Sequence, residues 1–82
     1  MREFLLSLIE KHDPQPAGKE TVASMINAGE EGVAVEIIAD NYYEHDVALT
    51  ADEQTELKAI ADQLKLSQGY LEMINDLPIV PA

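Results

Sequence analysis

The sequence has 82 residues and no cysteine, so it has the size of one small domain and excludes disulfide bonds, thiolate metal sites and a cysteine nucleophile. Sixteen acids face five bases, and the formal net charge of −11 disfavours contact with nucleic acid or anionic membranes while attracting basic proteins. The apolar amino-terminal run carries acids and is too short to cross a bilayer, which predicts a cytoplasmic protein.

The charge is unevenly distributed along the chain. Residues 1–29 contain four acids and three bases, whereas residues 30–82 contain twelve acids and only two lysines. Two interpretations remain open at this point. The excess can serve solubility alone, as in many small acidic proteins, or it can form a surface for a basic partner.

The first third of the chain predicts a helical hairpin. Apolar residues recur at helical spacing in residues 1–10 and predict a first helix that ends before a loop with three helix-disfavouring residues, Pro14, Pro16 and Gly18. A second, short helix is expected over residues 19–27, and Gly29 supplies its carboxyl-terminal stop.

The third segment, residues 30–45, has two competing interpretations. Val33, Val35 and Ile37 alternate as in a strand, but the length of the segment and its wider pattern favour a helix. In that helix an apolar side would be formed by Ala34, Ile37, Ile38, Asn41 and His45, with Tyr42 at its margin. The opposite side would be acidic.

The fourth helix has the clearest start in the chain. Thr50 and Glu53 fit a capping box, in which each side chain bonds the backbone N–H of the other residue. A fifth helix is expected from about Ser67 to before Pro78, and residues 78–82 are predicted to be extended.

These elements predict an all-α fold, a small bundle of four to five helices in a single domain covering residues 1–82. Its core is expected to contain the apolar residues that face inward in each helix, namely Leu5, Leu8, Ile9, Val22, Ile26, Ile37, Ile38, Leu57, Ile60, Ala61, Leu64, Leu71 and Ile74. Leu77 is a further candidate.

No catalytic, metal or cofactor motif accompanies this pattern. Catalysis needs a nucleophile beside a base, paired carboxylates in a pocket, or a bound metal or cofactor. His12 and His45 lie far apart without a ligand pattern, and His45 is interpreted as a core-edge residue held by a hydrogen bond. We therefore expect a protein that is not an enzyme and that uses no metal or cofactor.

Three weaker patterns also have simpler explanations. Gly29 to Gly32 lacks the spacing and the lysine of a phosphate loop, and a turn explains it. The oxygen-rich stretch from Asp40 to Asp46 lacks the glycine of a calcium loop. Ser67 is not preceded by the aspartate that a carrier-protein attachment site would have.

The acids that remain unexplained lie on the third helix and at the start of the fourth. Glu36, Asp40 and Glu44 follow one another at spacings of four residues, so neighbouring pairs repel in an exposed helix. Tyr43 lies within this row and is either a binding anchor or a residue packed under a loop. The candidate partner-binding residues are Glu36, Asp40, Tyr43, Glu44, Asp46, Asp52, Glu53 and Glu56.

The central part of the chain resembles a known family. The residues concerned are Ile26-Asn27-Ala28-Gly29-Glu30, Ala34-Val35-Glu36, Asp40, Tyr43-Glu44, Asp46, Leu49-Thr50 and Asp52-Glu53. They resemble the central pattern of the MafI-like immunity proteins, over residues 26–66. The resemblance implies a partner that is a toxin domain of a polymorphic or contact-dependent growth-inhibition system, often a nuclease that acts on RNA.

The expected function is therefore binding and neutralisation of a cognate toxin domain, a basic nuclease, through an acidic helical surface. One alternative is an acidic adaptor or nucleic-acid mimic that regulates a host protein. A second is an enzyme or carrier, which would need a pocket, a metal or a modified serine. Neither nucleic acid nor a membrane is an expected partner.

Overall fold

The computed structural model describes residues 1–14 and 18–81. This part of the chain folds into five helices and contains no β-strand. The predicted all-α bundle is thus confirmed. The predicted loop includes Pro16, and the predicted extended tail includes Ala82; both residues lie outside the described ranges. The helices are α1 (Arg2–Lys11), α2 (Lys19–Asn27), α3 (Glu31–Glu44), α4 (Ala51–Gln63) and α5 (Gln68–Asn75).

Helices α1 and α2 form the predicted hairpin, and α2 also packs against α3. Helix α5 packs against both α3 and α4. In residues 1–14 and 18–81 no helix is long and apolar enough to cross a membrane. Because α2 and α5 both pack against it, helix α3 has neighbours on two sides and keeps one side for solvent.

A single apolar core lies among the five helices. The prediction is confirmed for ten of its residues, namely Leu5, Leu8, Ile9, Val22, Ile26, Ile38, Leu57, Ile60, Ala61 and Ile74, and Leu77 is also buried. Three predicted core residues, Ile37, Leu64 and Leu71, are only half-buried because they lie at the margins of their helix faces. The core also contains Ala34, Val35, Ala39, Tyr42 and Leu49.

Helix α3 buries a wider and differently centred arc than the pattern predicts. Val35, Ala39 and Tyr42 are fully buried, because α2 and α5 cover two flanks of the helix rather than one. The interpretation of His45 as a core-edge residue is wrong. The helix ends at Glu44, and His45 lies beyond it with an exposed side chain.

Tyr42 connects α3 to the end of α1. Its hydroxyl donates a hydrogen bond to the backbone carbonyl of His12, and its ring meets the His12 imidazole edge to face at 6.0 Å. The carbonyl of His12 follows the last turn of α1, where carbonyls have no partner within the helix. Burial, and then the charges of Glu53 and Asp13, raise the pKa of Tyr42, so the hydroxyl stays protonated as a donor.

Three helices end in the same backbone turn. After α2, α3 and α4 the chain places one residue at positive φ, namely Gly29 (82°), Asp46 (52°) and Lys65 (60°). In α4 the N–H of Leu66 donates to the carbonyl of Ala61 at 3.0 Å and that of Lys65 to the carbonyl of Asp62 at 3.0 Å, which is the Schellman pattern. Only the first of these turns has the glycine that the conformation favours.

The carboxyl-terminal tail is tied to the connection between α3 and α4. The N–H of Leu49 donates to the carbonyl of Pro78 at 2.9 Å, and the N–H of Val80 donates to the carbonyl of Leu49 at 2.8 Å. These two bonds make an isolated parallel bridge between Leu49 and Ile79. The bridge holds Leu49 in the core, directly before the cap of α4.

Lys65 has a left-handed conformation at the end of α4, so glycine should be more favourable than alanine at this position. Lys65→Gly should be more stable than Lys65→Ala by about 1 kcal/mol, because both variants lose the lysine charge but only glycine adopts positive φ without strain. Urea unfolding of the two variants measures the difference.

Gly29→Ala tests the same backbone conformation in the opposite direction, by removing a glycine from it. A Cβ at Gly29 meets nothing within 4 Å, so the substitution adds backbone strain without a clash and should destabilise by about 1 kcal/mol. Equal stability of Lys65→Gly and Lys65→Ala would contradict the assignment of strain to this turn.

Candidate protein-binding surface

The solvent side of α3 carries a row of acids with a tyrosine beside it. Successive helical residues advance by about 100°, so Glu36, Asp40 and Glu44 drift slowly across the side opposite the buried arc. Asp40 and Glu44 are exposed, and Glu36 is half-buried. Tyr43 is 48% exposed, which removes the alternative that it packs under a loop. We call Glu36, Asp40, Tyr43 and Glu44 the α3 face.

Apolar side chains flank the α3 face. Val33 is 43% exposed, and Ile37 one turn later is half-buried. An acidic row bordered by a valine, an isoleucine and a tyrosine combines charge with apolar contact area. That combination is typical of the rim and core of a protein–protein interface.

Helix α5 adds a second tyrosine that the sequence reasoning missed. The hydroxyl of Tyr70 lies 3.3 Å from Oδ2 of Asp40 and donates to it, although the two residues are thirty positions apart. Partial burial, followed by the negative charges of Asp40 and Glu36, raises the pKa of Tyr70 and keeps it a donor. The sequence indicates Tyr70 only as an aromatic residue beside the apolar stripe of α5.

Three of the five cationic side chains are engaged away from the α3 face. Nζ of Lys11 lies 2.7 Å from Oε2 of Glu53, and Nζ of Lys19 lies 2.8 Å from Oε1 of Glu10. Lys58 donates to the side-chain oxygen of Asn75 rather than to a carboxylate. Within residues 1–14 and 18–81, no cationic side chain forms an ion pair with Glu36, Asp40 or Glu44.

Three of the remaining predicted acids, Asp46, Asp52 and Glu56, are exposed, and the positions of the first two have local explanations. Asp46 is the left-handed residue that ends α3, a conformation that aspartate tolerates better than most residues. Asp52 lies in the first turn of α4, where a negative charge is favourable to the helix dipole. Glu56 lies one turn further along α4. Asp52 and Glu56 therefore lie on a different helix from the α3 face.

Glu53 holds the fold together rather than facing solvent. Its side chain is 12% exposed, Oε1 accepts from the N–H of Thr50 at 2.9 Å, and Oε2 accepts from Lys11. Thr50 Oγ1 accepts from the N–H of Glu53 at 3.0 Å, which confirms the predicted capping box. The carboxylate therefore joins the start of α4 to the end of α1, and we leave it out of the proposed surface.

His12 completes this junction. Its Nε2 lies 3.6 Å from Oε1 of Glu53 and has no hydrogen-bond partner among the described residues. Partial burial acts to raise the pKa of Glu53, but the bonds from Lys11 and Thr50 outweigh it and hold the pKa below its usual value.

The rest of the described surface offers weaker candidates for a functional site. An open groove of about 430 Å³ runs between α4 and α5, with Lys58, Asp62 and Leu71 in its wall. In residues 1–14 and 18–81 no group of three or more His, Asp or Glu side chains is arranged to hold a metal ion. The α3 face therefore remains the principal candidate site.

The lowered pKa of Glu53 predicts a pH-dependent stability. Because the folded state holds the carboxylate charged, its contribution is present above the usual pKa of 4.5 and is lost as pH falls through the lower folded value. Glu53→Gln retains capping geometry but loses the charge, so it should cost roughly 1 kcal/mol at pH 7.

The measurement is the difference in unfolding free energy between the parent protein and Glu53→Gln across pH 7 to 3. The difference should shrink at the acid end. Glu56→Gln, one turn along and exposed, is the matched control and should change stability little at any pH. A difference independent of pH would show that the charge of Glu53 has no structural role.

Comparison of the chain with protein-family models, with curated proteins and with solved structures gave no match. The family-like pattern of residues 26–66 stays a prediction. Function is therefore inferred from the surface itself.

Proposed function

We propose that this protein is an immunity protein, a stoichiometric and non-catalytic inhibitor that binds a basic toxin domain through the α3 face. The observation that carries the proposal is the absence, within residues 1–14 and 18–81, of any ion pair to Glu36, Asp40 or Glu44. A partner that supplies the missing positive charge would complete this surface.

The energetics of α3 support a binding role. Each neighbouring pair in the acidic row repels by roughly 0.2 to 0.5 kcal/mol in an exposed helix, and no described cation forms an ion pair with its members. A basic partner converts this cost into attraction. Solubility alone does not require the acids to stand four residues apart on one helix.

Tyr43 supplies contact area beside the charges. Tyrosine is enriched at interface positions that contribute most to affinity, because it buries a large rigid ring with little loss of side-chain freedom. Charges at the margin of an interface mainly raise the rate of encounter, whereas a buried anchor slows release. The α3 face combines both kinds of residue.

A nuclease toxin has the surface that fits. An enzyme that cleaves nucleic acid presents positive charge to bind phosphates. An acidic helix can occupy that cleft or bind a basic surface beside it, and both modes protect the cell. The resemblance of residues 26–66 to MafI-like immunity proteins favours the same class of partner.

The direct test is to co-express the protein with a toxin domain whose gene adjoins its own. The expected result is rescue of growth and isolation of a stable one-to-one complex. If growth is not rescued and no complex forms, the immunity proposal is wrong. An acidic host-protein regulator would then become the better proposal if the α3 face is needed to bind that host protein.

A charge-reversal pair tests the surface. Asp40→Lys with Glu44→Lys should weaken toxin binding at least about tenfold, because two attractive contacts become repulsive. Calorimetry measures the affinity, and far-ultraviolet circular dichroism should show unchanged helix content.

Asp62→Lys with Asp76→Lys is the matched control. Both aspartates are exposed and lie at the ends of α4 and α5, so the pair changes net charge equally without touching the α3 face. It should retain most of the affinity. An equal loss in both pairs would mean that binding follows net charge and not this surface.

A further inference from the structure

Asp40 has one tyrosine of α5 at its carboxylate and a second tyrosine about one turn along α3. Tyr43 follows it by three residues on α3, a spacing that puts the two Cβ atoms about 5–6 Å apart. Tyr70 reaches it from α5, with its hydroxyl 3.3 Å from Oδ2. Asp40 and Tyr43 are exposed and Tyr70 is half-buried, so each of the three side chains is accessible to a partner.

We propose that Asp40, Tyr43 and Tyr70 form a receiving site for a single arginine side chain of a basic partner. The inference builds on the proposed function only in treating the partner as a protein. It goes beyond that function by naming the group that is recognised, and it extends the surface from α3 onto α5.

The chemistry of the three residues fits a guanidinium group. An ionised carboxylate has about four acceptor positions on two oxygens. The hydroxyl of Tyr70 uses one position on Oδ2, and no described residue bonds Oδ1. A planar guanidinium can therefore still donate two parallel hydrogen bonds to Asp40.

The tyrosine rings add an attraction that an ordinary surface carboxylate lacks. A cation over the face of an aromatic ring gains about 0.5–1 kcal/mol at an exposed site. A guanidinium can stack on a ring while its edge still reaches a carboxylate, whereas an ammonium acts as a strongly hydrated point charge. The site should therefore prefer arginine to lysine.

The surroundings of Asp40 prepare it for this role. The bond from Tyr70 restricts the carboxylate before the partner arrives, which lowers the entropy lost on binding. Glu36 and Glu44, one turn to either side on α3, add negative potential without a described cation to neutralise them.

The test is a nuclear magnetic resonance titration of the ¹⁵N-labelled protein with small probes at about 0.15 M salt. The probes are N-acetyl-arginine amide, N-acetyl-lysine amide with a free side chain, and N-acetyl-citrulline amide, the neutral analogue of arginine. The expected result is amide shifts confined to residues 36–44 and the neighbourhood of Tyr70. Affinity for the arginine probe should exceed that for lysine by about threefold, with no shifts from citrulline.

Three variants define the site. Asp40→Asn and Tyr70→Leu should each lower the affinity for the arginine probe at least about threefold. Asp62→Asn removes one charge elsewhere and should leave that affinity within about 1.5-fold, since screened charges at a distance matter little. Tyr70→Phe keeps the ring and removes the hydroxyl, so it should keep part of the preference for arginine over lysine.

Equal affinity for arginine and lysine, or equal weakening by Asp40→Asn and Asp62→Asn, would overturn the inference in favour of general charge attraction. The outcome is independent of the toxin experiment. Rescue of growth without a localised arginine response would remove this site and keep the proposed function. A localised response without rescue would keep the site and remove the toxin as its partner.

Discussion

The contacts at the end of α1 determine how the rest of the molecule is arranged. Lys11 pairs with Glu53 at the start of α4, and the carbonyl of His12 accepts a hydrogen bond from Tyr42 of α3. The end of α1 therefore meets α3 and α4, thirty and forty-two residues further along the chain, at one partly buried polar junction. Because Glu53 also belongs to the capping box of α4, its carboxylate fixes both where α4 begins and what it contacts.

The ion pairs of the amino-terminal hairpin contribute to leaving the acidic surface uncompensated. Two of the five bases, Lys11 and Lys19, hold the amino-terminal hairpin together and to α4 by pairing with Glu53 and Glu10. Folding thus uses positive charge in the nearly neutral part of the chain. The twelve acids after Gly29 face two lysines, so most of their charge is directed outwards. The stability of the fold and the chemistry of its surface follow from one distribution of charge.

Features whose partners lie close in sequence could be predicted. Two such features are the capping box of Thr50 and Glu53 and the helix stop at Gly29. Each involves residues within one or two helical turns, so neighbouring residues alone determine its geometry. The burial of Tyr42 and the contact of Tyr70 with Asp40 each join residues thirty positions apart and depend on how whole helices pack. For the same reason the sequence placed Glu53 on the binding surface, although its partner Lys11 turns it inward. The acidic row itself was predictable, because helical periodicity alone puts Glu36, Asp40 and Glu44 on one side.

The order of helix contacts also bears on how fast the molecule folds. Helix α1 packs on α2, α2 on α3 and α4 on α5, so among the principal pairs only α3 with α5 joins helices that are not consecutive. Short separations between contacting residues keep the entropy of loop closure low, and helical domains of this kind fold in microseconds to milliseconds. The inhibitor proposed above would have to fold before its toxin reaches a target in the same cell. A topology of mostly consecutive contacts meets that demand through the arrangement of its helices.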